Sequence, residues 1–90
     1  MKEIHKTTQY KKDFKRYRNQ PKKIEKVLEL VKLLENEDEI PQSYKPHPLA
    51  GNYKGCMECH IEGDLLLIWI DEEKNIIELV RLGTHSELFV

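Results

Sequence analysis

The chain has 90 residues, 39% of them hydrophobic and 34% charged, with a net charge of −1 at pH 7. Length and balance describe one globular domain over residues 1–90, able to fold without disulfide staples. They exclude a membrane-spanning segment, because no apolar run approaches the ~20 residues a bilayer requires. The opening Met1-Lys2-Glu3-Ile4-His5-Lys6 lacks the apolar stretch of an export signal. This predicts a cytoplasmic protein whose two cysteines stay reduced. Charge is unevenly spread, with a net +7 over residues 1–26 and −8 over the rest. Such a split is compatible with a polyanionic partner, but from charge alone a merely solvated helix face is the commoner cause.

In chain order, Ile4 to Thr7 reads as a short strand. Thr7 or Thr8 then caps a helix on which Tyr10, Phe14 and Tyr17 share one face. Pro21 fits the first turn of a second helix, where a missing N–H is harmless. Ile24, Val27, Leu28, Val31 and Leu34 form its apolar stripe, widened by Leu30 and Leu33, and Asn36 with the acids 37–39 ends it. The segment from Ile40 to Asn52 is a proline-marked loop in which Pro46 and Pro48 restrain His47. Three strands follow, Tyr53–Ile61, Leu65–Ile70 and Ile76–Leu82, joined by tight turns and so antiparallel. The run Leu65-Leu66-Leu67-Ile68-Trp69-Ile70 reads as a central strand covered on both faces. Leu88 and Phe89 form a last helical turn or a tail folded on the sheet. The expected fold is α+β, β-α-α-β-β-β, with an N-terminal helical hairpin packed on a small antiparallel sheet.

Histidine is the side chain that titrates nearest neutral pH, and His47, His60 and His85 all lie in this second half. Alternation puts Cys56, Glu58 and His60 on one side of their strand, with Met57, Cys59 and Ile61 on the other. The second set looks like core, so His60 points away from the helices. Arg81 shares a side with Ile77 and Leu79 by the same rule, which leaves its relation to His60 open. Cys56-Met57-Glu58-Cys59-His60 also fits the C-x-x-C-H pattern of haem attachment. That chemistry normally follows export, and alternation sends the two sulfurs to opposite faces, which counts against haem, a redox pair or a zinc grip. No metal and no cofactor is expected.

Three ordered segments carry a resemblance: His47-Pro48-Leu49-Ala50-Gly51-Asn52-Tyr53-Lys54-Gly55, His60-Ile61-Glu62-Gly63-Asp64, and Arg81-Leu82-Gly83-Thr84-His85-Ser86-Glu87-Leu88-Phe89. Together they resemble the YafQ branch of the RelE/ParE toxin superfamily, over the whole chain. The family pattern has Arg-Asp at Met57-Glu58 and Trp at Leu65, departures that bear on RNA grip and codon preference and leave the acid-base residues in place. The resemblance implies a toxin of a type II toxin-antitoxin system that cuts messenger RNA, typically in the ribosomal A site. It also implies a cognate antitoxin protein as partner, the toxin being a monomer alone and part of a hetero-oligomer with it.

Carried over by motif position, the implied catalytic set is His47, His60, Asp64, Arg81, His85 and Phe89. Lys45 and Lys54 beside it, and Lys11, Lys12 and Lys15 on the hairpin, are candidates for RNA phosphates. Metal-free RNA cleavage wants a base for the 2′-OH, a cation for the developing charge and an acid for the 5′-oxygen. His60 and His85 fit the first and last roles, in either order. Asp64 would orient a histidine or act as base, Arg81 with Lys54 would hold the phosphate, and Phe89 would stack on a base. The runner-up is a gyrase-directed ParE-like toxin or a non-catalytic interaction module on the same fold, for which several titratable groups have no use.

Overall fold

Thr7 begins the chain's three-dimensional order. Its hydroxyl accepts from the Tyr10 N–H at 2.9 Å, capping the first helix, and donates to the Val80 carbonyl at 2.8 Å, tying that helix to a distant strand. The computed structural model describes residues 1–72 and 74–89. In chain order they form β1 (Glu3–Lys6), α1 (Thr8–Arg16), α2 (Pro21–Glu35), β2 (His47–Pro48), β3 (Met57–Glu62), β4 (Leu65–Glu72), β5 (Ile76–Thr84) and α3 (His85–Leu88). Single 3₁₀ turns at Gln42–Tyr44 and Gly51–Tyr53 flank β2.

The sheet order is β1-β5-β4-β3-β2. β3 to β5 form the expected antiparallel meander, β2 extends it at one edge, and β1 adds to the other parallel to β5. The sheet is therefore mixed, since the helical hairpin serves as the crossover that a parallel neighbour needs. β2 was not expected. His47 and Pro48 pair with Glu58 and Met57 at the sheet edge, where proline's missing N–H faces outward. The strand expected from Tyr53 also begins late: Tyr53 belongs to a 3₁₀ turn, Gly55 takes a left-handed φ of 93°, and β3 starts only at Met57.

The helices cover one face of the sheet. Tyr10, Tyr17, Val27, Leu30 and Leu34 pack there on Cys59, Ile61, Leu65, Leu67, Trp69, Ile77, Leu79 and Leu82. Leu28, expected in the stripe, is 53% exposed because it sits about 100° round the helix from Val27. On the other face Cys56, Leu66, Ile68 and Leu88 make a second, smaller core with Leu49, Tyr53, Ile70 and Val80 against it. Every residue from Leu65 to Trp69 is buried, as a strand covered on both sides requires.

One irregularity decides where a functional residue points. Arg81 pairs with Ile68 and Leu79 with Trp69, so Val80 is an extra residue in β5. The bulge breaks simple alternation. Leu79 and Leu82 both reach the helix-side core, while Arg81 leaves the side of Ile77 and Leu79 to which alternation assigned it.

Candidate active site

Pairing register assembles the site. One cross-strand row runs His47, Glu58, Ile68, Arg81, and the next runs His60, Leu66, Gly83. Paired residues share a face, so the rows set His60 and Arg81 on either flank of the smaller core, about two strand spacings or ~10 Å apart, with His47 one strand further out.

On the β3 flank, His47 Nε2 lies 3.0 Å and His60 Nε2 4.0 Å from the same Glu58 oxygen, with the two rings 5.9 Å apart. His47 Nδ1 sits 2.7 Å from the Lys45 carbonyl, which can only accept, so Nδ1 carries a proton. Glu58 is 5% exposed, and its second oxygen has no hydrogen-bond partner among the described residues. A buried unpaired carboxylate oxygen beside two imidazoles is a donor set for a borderline-soft divalent cation, and the three ligand atoms lie within 4.8 Å of one another.

On the β5 flank, Asp13 binds Arg81 through Nε at 2.8 Å and Nη2 at 3.3 Å, and Arg81 Nη1 approaches the Tyr53 hydroxyl at 3.5 Å. Burial alone would raise the Asp13 pKa, but hydrogen bonds from Arg81, the Leu82 N–H and Gln9 outweigh it and hold the carboxyl below its usual range. Tyr53 donates to the Leu88 carbonyl at 3.2 Å and meets Phe89 edge-on at 5.4 Å, and Phe89 lies 4.8 Å from the His85 ring. His85 and Phe89 are exposed at the start and end of α3.

α3 is only four residues long and depends on its cap. Thr84 and Glu87 form a reciprocal capping box, and Glu87 also accepts from Tyr17 at 2.6 Å and Arg16 at 2.8 Å. Gly83 permits this closeness, since a Cβ there would lie 3.0 Å from Glu87 Oε1. Hydrogen bonds from the Thr84 N–H and the Tyr17 hydroxyl, chiefly, lower the Glu87 pKa from 4.5 to about 2. A depressed carboxyl stabilises the fold above its unfolded value and loses that contribution as pH falls through the folded one. Glu87→Gln should therefore destabilise the protein by about 2 kcal/mol at pH 7, allowing for screening of this partly exposed group, with the difference fading between pH 4.5 and 2 in urea unfolding.

The remaining candidates stand apart. Asp64 is exposed in the turn between β3 and β4, and among the described contacts it orients no histidine. Lys45 serves His47 through its carbonyl. Its ammonium, like that of Lys54, is on the surface beside the site. Lys11, Lys12 and Lys15 are exposed on α1. Sequence reasoning missed Glu58, Tyr53 and Asp13. Glu58 shares strand parity with His60, Tyr53 stands inside the first family motif, and Asp13 falls at i+3 from buried Tyr10. The cysteines divide between the two cores, and burial pushes Cys59 up to about 12, far from a thiolate. A groove of about 630 Å³ opens on the helix-bearing side, lined by Glu37, Asp38 and Glu39 together with Lys2 and apolar residues such as Leu34 and Trp69, and contains none of the candidate residues. No helix among the described residues is long and apolar enough to cross a membrane.

Known proteins share this fold and much of this sequence. A sequence model described as the bacterial toxin of type II toxin-antitoxin system, YafQ, matches residues 2–90. The mRNA interferase toxin YafQ of Escherichia coli strain K12 is 38% identical over 88 residues, 97% of this chain and 95% of that protein. Among solved structures, the chain superposes on the toxin of the E. coli DinJ-YafQ complex with a TM-score of 0.87 at 34% identity, covering 100% of both chains. It superposes on a metal-bound toxin from Helicobacter pylori with a TM-score of 0.88 at 37% identity, covering 99% of this chain and 100% of that one.

Proposed function

Since the chain belongs to the YafQ family of toxins from bacterial type II toxin-antitoxin systems, we propose that residues 1–90 act as one toxin domain that cuts messenger RNA with groups on the open face of its sheet. The observation that carries this is the register, which flanks the Leu66/Ile68 core with His60 and Glu58 on one side and Arg81 on the other, His85 following at the start of α3 just beyond β5. The name of the E. coli relative as an mRNA interferase supports the same reading.

The division of labour we assign rests on the neighbouring carboxylate. His85 has no acidic partner among the described contacts and takes the 2′-OH proton as base. His60, 4.0 Å from Glu58 on the β3 flank, returns a proton to the 5′-oxygen as acid. Arg81 stabilises the charge on the phosphorane-like transition state and Lys54 helps to hold the phosphate. Phe89, 37% exposed, stacks on a base for roughly 1–3 kcal/mol. Asp64 enters only as a rim carboxylate. Primer extension on translated message should reveal discrete cuts within the codon in the A site. Intact message with damaged DNA would instead identify a gyrase-directed toxin.

The same reading places the protein in the cytoplasm with message and ribosomes, a monomer alone and silenced in complex with an antitoxin, as the E. coli DinJ-YafQ pair suggests. Lys11, Lys12 and Lys15 would contact ribosomal phosphates. Reversing all three to Glu should weaken ribosome association and shrink the slope of log affinity against log salt by about two to three. An unchanged slope would reduce these lysines to solvation.

The metal-bound H. pylori relative bears on the β3 flank. His47, Glu58 and His60 of this chain would hold such an ion, and a bound cation would neutralise Glu58 and occupy the imidazole lone pairs. Titration calorimetry should detect Zn²⁺ binding that His47→Ala weakens, and saturating Zn²⁺ should slow cleavage.

A further inference from the structure

Asp13 and Glu58 are the two buried charged residues among those described, and Asp13 is wholly inaccessible. A buried carboxylate at the foot of a lysine-rich helix calls for a physical reason. Part of it is backbone accounting. β1 stops at Lys6, opposite Leu79, so nothing in that strand reaches the Leu82 N–H. Asp13 Oδ2 accepts from that N–H at 3.0 Å and so replaces the missing strand partner.

The rest concerns Arg81. Asp13 takes its Nε and Nη2 in a forked pair, and Gln9 donates to Asp13 Oδ1 at 3.1 Å, fixing the carboxylate from the other side. α1 cannot slide, because Thr7 holds the Leu79 and Val80 carbonyls through its N–H and hydroxyl. The guanidinium plane is thereby set, with the Nη1 edge turned toward Tyr53, Phe89 and α3. Donors fixed before substrate arrives stabilise a transition state without reorganising, and an unheld arginine with its many rotamers would lose that advantage.

The geometry points to Asp13 as a positioning residue for RNA cleavage: it locks the Arg81 guanidinium so that its free edge faces the scissile phosphate. This rests on the reading of Arg81 as the phosphate-stabilising group. Asp13→Asn separates positioning from folding, because the amide oxygen still accepts from Leu82 N–H while the charged fork is lost.

The test is single-turnover cleavage of message bound in ribosomes by the full chain. With Asp13→Asn the rate at saturating toxin should fall about 10- to 100-fold, while the half-saturating concentration stays within about threefold and circular dichroism and antitoxin binding match wild type. Arg81→Ala should lose at least as much, and adding Asp13→Asn to it should change nothing further. Arg81→Lys keeps a charge beside Asp13 without the fork and should fall in the same range, which covers the case of a poorly folded Asp13→Asn. Wild-type rates for Asp13→Asn or Arg81→Lys, or losses that multiply in the double variant, overturn the proposal while leaving Arg81 at the site. A wild-type rate for Arg81→Ala removes the phosphate-holding reading and this proposal with it.

Discussion

His60→Ala and His85→Ala should each slow message cleavage by about 10²- to 10⁴-fold, the range by which a positioned proton donor or acceptor accelerates such a step. Neither change should unfold the protein. His85 is exposed at the start of α3, and His60 is 40% exposed, so truncation opens no cavity in either core. His5 supplies an internal control, since it lies on β1 against Glu3, remote in the sheet from the other three, and His5→Ala should cleave at the wild-type rate. Growth inhibition in cells and single-turnover rates on ribosome-bound message give independent readouts. Full toxicity in both variants would remove the site from this face of the sheet.

Leu67→Ala should destabilise the fold by about 2–5 kcal/mol. Leu67 is fully buried, pairs with Cys59 on one side and Leu82 on the other, and faces the helix-side core at its centre. The neighbours that would have to collapse into the vacated space are held by two strand ladders, so the cavity persists. A 90-residue domain holds only about 5–13 kcal/mol in total. The variant should therefore unfold at a markedly lower denaturant concentration with an unchanged slope, and cellular toxicity should fall with abundance while the rate per folded molecule holds.

Much of this architecture was legible from local pattern. The α2 stripe, the capping of α1 by Thr7 and the burial of Leu65–Trp69 all follow from periods that a single segment carries within itself. Parity also placed His60 and Cys59 on opposite faces. Three features escaped because they depend on distant partners. β1 runs beside β5 only because the hairpin crosses over, and β2 exists only because His47 and Pro48 find Glu58 and Met57. Val80 is a bulge, and one inserted residue reverses the face of everything beyond it, which is why alternation misassigned Arg81. The site divides in the same way. The histidines and Arg81 announce themselves by residue type within motifs, whereas Glu58 and Asp13 resemble ordinary surface acids until the strands that bury them are in place.

The bracing of α1 against β5 and α3 also sets a schedule for synthesis. Asp13, Tyr17 and Arg16 hold partners that lie 68, 70 and 71 residues further along the chain. A nascent polypeptide emerges N-terminus first, so its early helices wait beside the ribosome with their acid and tyrosine unpaired. Arg81, His85 and Phe89 cannot be braced until β5 has inserted between β1 and β4. Bracing of Arg81 and of α3 therefore arrives as one late step of folding, when β5 closes the sheet.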